Sequence, residues 1–150
     1  MIEIVIFRHA HSKTLNQTLS GIDFEREISE EGIIEIKESV EKLISQNFKA
    51  KTIFTSPYKR AVQTAEKIYE LISAENIILN ELFSPNFDFL PTINFIKSIK
   101  ENVVIVTHMP LISDIVLNLT GERVLFLTSG WLRILNASEK FIIISSNRIY

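Results

Sequence analysis

The run Ile2-Glu3-Ile4-Val5-Ile6-Phe7 is almost wholly apolar and mostly β-branched. That is the pattern of a strand buried on both faces. Asn102–Thr107, with Val103-Val104-Ile105-Val106 at its centre, predicts another of the same kind. Thr52–Thr55 and Ile77–Leu79 predict two shorter ones. Between these runs the spacing changes to the helical period. Ile33, Ile36, Val40, Leu43 and Ile44 mark one face of a helix capped by Ser29, with Glu30 and Glu31 at its positive end and Asn47 near its close. Ser56-Pro57 reads as a cap with proline at the first helical position. The helix it opens runs to about Ile72 and turns Ala61, Ala65, Ile68 and Leu71 or Ile72 inward. Pro91 predicts a helix to about Lys100, and Pro110 one that Gly121 ends. The tail predicts three strands, Val124–Leu127, Trp131–Leu135 and Phe141–Ser145, with turns at Ser129-Gly130 and Asn136–Lys140. Two irregular connections remain, Arg8–Ile28 and Asn80–Leu90. The first is long, and long loops usually carry function.

Strands alternating with helices predict an α/β fold: a three-layer α/β/α sandwich with a mostly parallel central sheet and antiparallel edge strands near the C-terminus. No repeat, low-complexity stretch or linker interrupts the 150 residues, so a single domain over 1–150 is expected. A chain of that size buries roughly 70% of its surface on folding, enough for a core without staples.

Composition then removes whole classes of chemistry. There is no cysteine, which excludes disulfides, thiolate zinc sites, iron–sulfur clusters and a cysteine nucleophile. Sixteen basic and eighteen acidic residues leave a net charge of −2, so no nucleic-acid partner is expected. No apolar stretch reaches the ~18 residues of a membrane span, and the first run is short and carries Glu3. No membrane partner is expected, and the expected location is cytoplasmic.

In open α/β sheets, sites form beyond the carboxyl ends of strands. The first strand is followed by Arg8-His9-Ala10-His11-Ser12, the second by Ser56-Pro57-Tyr58-Lys59-Arg60, and the run ending at Thr107 by His108-Met109-Pro110. All three histidines of the chain thus lie just past strand ends, with two arginines beside them. Guanidinium forks match phosphate oxygens, and a neutral imidazole can attack phosphorus and carry it covalently. Nearby arginines keep such an imidazole neutral. The constellation predicts phosphoryl transfer in a pocket made positive by Arg8, Arg60, Lys13 and Lys59.

These segments resemble those of the histidine phosphatase superfamily, the phosphoglycerate mutase-like group. Arg8-His9-Ala10 is similar to its Arg-His-Gly signature, and Ser56 through Ala65 to its Ser-x-x-x-Arg-Ala-x-x-Thr-Ala segment. Val106-Thr107-His108 resembles the segment of its second histidine. The resemblance implies His9 as nucleophile, Arg8 and Arg60 as clamps on the phosphoryl oxygens, and His108 as a donor to the same oxygens. It also implies Glu81, in Asn80-Glu81-Leu82, as proton donor, with Asp88 as the rival acid. Ser12 would add a hydroxyl at the phosphate, Asn16 a polar contact, and Met109 an apolar wall. His11 stands where the relatives usually carry an acid and is expected to be a rim residue rather than a catalytic one. Thr107-His108-Met109-Pro110-Leu111 looks most like the compact SixA-type phosphohistidine phosphatases, whereas Asn80-Glu81 resembles the small-molecule branches.

The expected activity is hydrolysis of a phosphomonoester or protein phosphohistidine, through a covalent phosphohistidine on His9, with no cofactor and no metal. The partner is then a phosphorylated small molecule or a phosphohistidine-bearing protein. A small-metabolite phosphatase or a mutase is an alternative within the class, though a mutase usually needs further loops. Two other readings stand beside it. His9-x-His11 with His108 and Asp88 or Glu81 could ligate a metal, or the fold could bind a phosphorylated ligand without turnover. Trp131, Phe126, Phe141 and Ile142–Ile144 are expected in the core, and Phe83, Phe87 and Phe89 either in the core or at the substrate mouth.

Overall fold

The computed structural model describes residues 1–85 and 88–150. Six strands form one sheet in the order β3-β2-β4-β1-β5-β6. β1 (Ile2–Arg8), β2 (Thr52–Thr55), β3 (Asn76–Leu79) and β4 (Val103–Thr107) run parallel to their neighbours among themselves. β5 (Phe126–Ala137) and β6 (Lys140–Ile149) are added antiparallel beyond β1. The expected architecture is the one observed.

Strand alternation builds the layers. Ile4 and Ile6 of β1, with Val103 and Ile105 of β4, face α3 (Phe89–Ser98) and α4 (Leu111–Thr120). Val5 and Phe7, with Val104 and Val106, face α1 (Glu30–Ile44) and α2 (Lys59–Ile72). Side chains two apart share a face, so the continuous apolar runs are what a sheet covered on both sides requires. Trp131 closes the α1 side, and its indole N–H donates to the Ser39 carbonyl at 3.0 Å. Phe83 and Phe126 belong to the other cluster.

Several elements differ from the sequence pattern, each for a local reason. Ile33 and Ile44 are exposed, and Gly32 and Ser39 join Ile36, Val40 and Leu43 on the inner face of α1. Ser56 is not a helix cap: α2 begins at Lys59, and Ser56 is fully buried with its hydroxyl committed elsewhere. α3 begins at Phe89 rather than Pro91, because Asp88 caps it by accepting from the Leu90 N–H. Proline is tolerated inside this first turn because its missing N–H has no helical partner there. The first two tail strands are a single one. Ser129-Gly130 is a bulge within β5, with Ser129 at φ 57°, and the pairing shifts register between Phe126 and Trp131. The turn lies at Ser138-Glu139, both at positive φ. Ile142 and Ile144 are exposed on β6, the edge strand, while Phe141 is buried. Phe83 is buried and Phe89 packs against the same core; Phe87 lies outside the described residues. No helix among the described residues is long and apolar enough to cross a membrane.

Candidate active site

The carboxyl ends of β1, β2 and β4 lie side by side, and the chain leaving them lines a cavity of about 410 Å³. His9 is held there by main-chain bonds. Its N–H donates to the Thr107 carbonyl at 3.1 Å, and its carbonyl accepts from the Ser129 N–H at 3.1 Å. The next residue is fixed from α2: the Ala10 N–H donates to Thr64 Oγ1 at 3.0 Å. The loop then pairs with residues ahead of α1, through Lys13 N–H to Glu27 O and Ser29 N–H to His11 O. Gly32 packs directly beneath, where a Cβ would meet the His11 carbonyl.

The contact made by the His9 ring decides its tautomer. His9 Nδ1 lies 2.8 Å from the Ala10 carbonyl, which can only accept, so Nδ1 carries the proton and Nε2 carries the lone pair. His108 Nε2 lies 2.7 Å from Ser56 Oγ. Ser56 Oγ already accepts from the Tyr58 N–H, and its own proton has His108 Nε2 as acceptor. With the Ser56 proton donated in that contact, His108 bears its own proton on Nδ1. That Nδ1 is buried and unpartnered among the described residues, as are Arg8 Nε and Arg60 Nε. The two imidazole rings lie 5.1 Å apart. Both are held neutral. Burial pushes His9 down to about 3, with Arg60, Arg8 and Arg26 adding to the effect against the opposing Ala10 bond. Burial pushes His108 to about 2, with His9 and then Arg60 adding to it.

Three guanidiniums line the cavity: Arg8, Arg60 and, unforeseen from the sequence, Arg26. A backbone carbonyl orients each. Arg8 Nη1 donates to Phe126 O at 2.6 Å, Arg26 Nε to Lys13 O at 2.7 Å, and Arg60 Nη1 to Asp23 O at 2.9 Å. Asp23 pairs with both Arg26 at 3.0 Å and Arg60 at 3.3 Å. Burial pushes the Asp23 carboxyl up, but the bonds and charges of the two arginines outweigh it and hold the group below its ordinary value. Arg60 also lies over the Tyr58 ring, 5.1 Å from its centroid. No local signal marks Arg26, since Phe24-Glu25-Arg26-Glu27 reads as a solvated loop.

The other expected residues divide. Ser12 is buried in the wall and accepts from Arg26 Nη2 at 2.8 Å. Met109 lines the cavity, with its sulfur accepting from Ser113 Oγ. His11 is at the rim, as expected. Asn16 is exposed in a short 3-10 turn away from the cavity wall. Lys13 and Lys59 border a neighbouring cavity, and Lys59 pairs with Glu27 at 3.1 Å. Glu81 does not reach the wall either. It is exposed, and its carboxylate accepts from Ser84 Oγ at 2.9 Å. Asp88 is engaged as the cap of α3. For the metal reading, His9 and His11 are held by different partners, Ala10 and Ser29, and no three His, Asp or Glu side chains gather as a metal site among the described residues.

A neutral histidine with a free Nε2, ringed by oriented guanidiniums at the strand ends of a doubly covered sheet, defines a phosphoryl-handling α/β enzyme. Residues 4–86 match the model of the histidine phosphatase superfamily (branch 1), and the chain belongs to that family of phosphatases. The match ends before His108, which the fold returns to the same cavity. Its architecture is similar to that of the protein histidine phosphatase SixA solved with tungstate: TM-score 0.84, 21% identity, 96% of this chain and 95% of that one. A candidate phosphohistidine phosphatase SixA from Agrobacterium tumefaciens also gives a TM-score of 0.84, at 18% identity over 97% and 96% of the two chains. A phosphoserine phosphatase from Entamoeba histolytica, in complex with phosphoserine, gives 0.71 at 16% identity over 98% and 97%. No curated protein matches the chain in sequence.

Proposed function

We propose that the chain hydrolyses a phosphomonoester or a protein phosphohistidine through a covalent phosphohistidine on His9, without a metal. The observation that carries this reading is the Nδ1–Ala10 bond, which leaves Nε2 of a buried neutral imidazole as an open nucleophile. Arg8, Arg26 and Arg60 supply the positive charge that a metal would otherwise bring to the phosphoryl oxygens. His108 Nδ1–H and the Ser12 hydroxyl add neutral donors. Nε2 attacks phosphorus as the leaving group departs, and water then attacks the phosphohistidine and releases phosphate. The neighbours' named activities, on protein histidine and on phosphoserine, span the two substrate classes.

Incubation with a labelled phosphodonor, followed by quenching, tests the reading. The trapped phosphoenzyme should be acid-labile and base-stable, absent in His9→Ala, and formed equally in EDTA. Undiminished labelling of His9→Ala would remove His9 as nucleophile. A panel of phosphohistidine proteins and small esters then ranks the substrates.

A further inference from the structure

We propose that His11 is the proton donor to the leaving group, which equips this enzyme for alkyl phosphate monoesters. The proposal rests on the reading of His9 as nucleophile. An alkoxide is a poor leaving group without a proton, because its parent alcohol is a very weak acid. The donor must therefore stand in the cavity wall and hold a mobile proton. The three wall arginines do not release theirs. His9 offers a lone pair, and His108 is buried and neutral, so its remaining N–H is a hydrogen-bond donor and not an acid. The hydroxyls of Ser12, Thr14 and Thr128 are themselves alcohols, no more acidic than the group to be protonated. Glu81 and Asp88 stand outside the wall. His11 remains, and imidazole is the side chain suited to moving a proton near neutral pH.

Its surroundings fit the task. The ring is 46% exposed at the cavity rim, where a departing group passes, and is pinned by Ser29 at one nitrogen. In the imidazolium, Nδ1–H donates to Ser29 Oγ at 2.7 Å, and the serine proton turns to the His11 carbonyl at 3.2 Å. Nε2–H has no partner among the described residues and is left for the leaving oxygen. The charged groups around it come from three sides. Glu31 of α1 lies 3.7 Å from Nδ1, and Glu35 of α1 accepts from the His11 backbone N–H at 3.1 Å. Arg148 of β6 pairs with Glu35 at 3.2 Å, and Arg8, Arg26 and Arg60 line the same cavity. In the first step the P–N bond to His9 forms, the P–O bond breaks, and the proton of His11 Nε2 goes to the leaving oxygen, giving the alcohol. In the second, water attacks phosphorus, the P–N bond breaks with its electron pair returning to His9, phosphate leaves carrying both protons of the water, and neutral His11 recovers its proton from solvent.

The test compares phosphoserine and glycerol 3-phosphate with p-nitrophenyl phosphate, whose leaving group is stable unprotonated. His11→Gln should lower kcat on both alkyl esters by about 10²-fold and leave KM and p-nitrophenyl phosphate turnover little changed. His11→Asn, which can still donate to Ser29 Oγ, should show the same selective loss, so a merely structural role of the ring is separable. Equal losses on all substrates, unchanged alkyl-ester turnover, or a selective loss in Glu81→Gln instead would each overturn the proposal. So would a wild type that cleaves p-nitrophenyl phosphate and no alkyl ester. Failure of the underlying reading looks different: His9→Ala would then keep its activity, and both proposals would fall together.

Discussion

Lowering the pH from 7 to 5 should cost the folded protein about 4 kcal/mol through two side chains. His9 and His108 are 8% and 2% exposed, and burial holds them at about 3 and about 2. In the unfolded chain each titrates near about 6.5. The folded values are depressed, so at falling pH the unfolded state takes up protons that the folded state refuses. Stability is therefore full above pH ~6.5 and is lost from there down toward the folded values. Across pH 7 to 5 an unfolded histidine goes from about a quarter protonated to nearly complete, which is about 2 kcal/mol for each residue. Ordinary carboxylates titrate below this window, so the histidines dominate it. With a urea slope of about 1–3 kcal/mol per molar, the unfolding midpoint should drop by about 2 M. The assay is equilibrium urea unfolding at pH 7, 6 and 5, on wild type and on the His9→Asn/His108→Asn double variant. The double variant should lose most of the shift. A wild-type midpoint that barely moves, or a shift the double variant keeps in full, would refute the assignment of two buried neutral imidazoles.

Other expectations follow from single contacts. Ser56→Ala removes the donor to His108 Nε2 at 2.7 Å, and should lower kcat by about tenfold, the worth of one buried hydrogen bond; long-range ¹⁵N imidazole spectra should show the Nδ1–H tautomer losing population, and an unchanged tautomer would sink the argument. Arg26→Ala should reduce kcat/KM by about 10²-fold if its guanidinium meets the phosphoryl group, and unimpaired binding of vanadate or tungstate by the variant would show that it does not. Gly32→Ala sets two effects against each other: helix propensity favours alanine by about 1 kcal/mol, but its Cβ would meet the His11 carbonyl, and overpacking costs about 1–3 kcal/mol. The clash should win, lowering both the thermal midpoint and turnover, and a gain in stability would refute the close packing of α1 on the loop that follows His9.

The layers of the sheet were legible because they are local. A run such as Val103–Val106 can satisfy its side chains only between two covered faces. Likewise Arg8, His9, Arg60 and His108 were legible because strand ends announce themselves. What stayed hidden depends on partners distant in sequence. Ser56 looks like a helix cap because nothing nearby reveals that its hydroxyl meets a histidine 52 positions on. Ser129-Gly130 looks like a hairpin turn because a small residue before glycine does the same job in a bulge, and only the pairing with β6 separates the two. Arg26 is a charged residue among charged residues until the 3-10 turns of its loop fold it over Ser12. Glu81 follows the end of β3, but the turn through Phe83 directs its carboxylate to Ser84 instead of the cavity.

The guanidiniums of the cavity are aimed by main-chain carbonyls of Phe126, Lys13 and Asp23. A carbonyl is the same whatever side chain its residue bears, so drift at Phe126 and Lys13 leaves the aim intact while the backbone keeps its path, whereas Asp23 also holds Arg26 and Arg60 through its carboxylate. The arrangement thus tolerates substitution at two of its three supports better than it tolerates a change of length. Deleting one residue between positions 13 and 23 would move the Asp23 carbonyl and Arg26 together relative to Lys13. Engineered diversity in this loop should therefore be sought in side chains other than Asp23 and Arg26, not in its span.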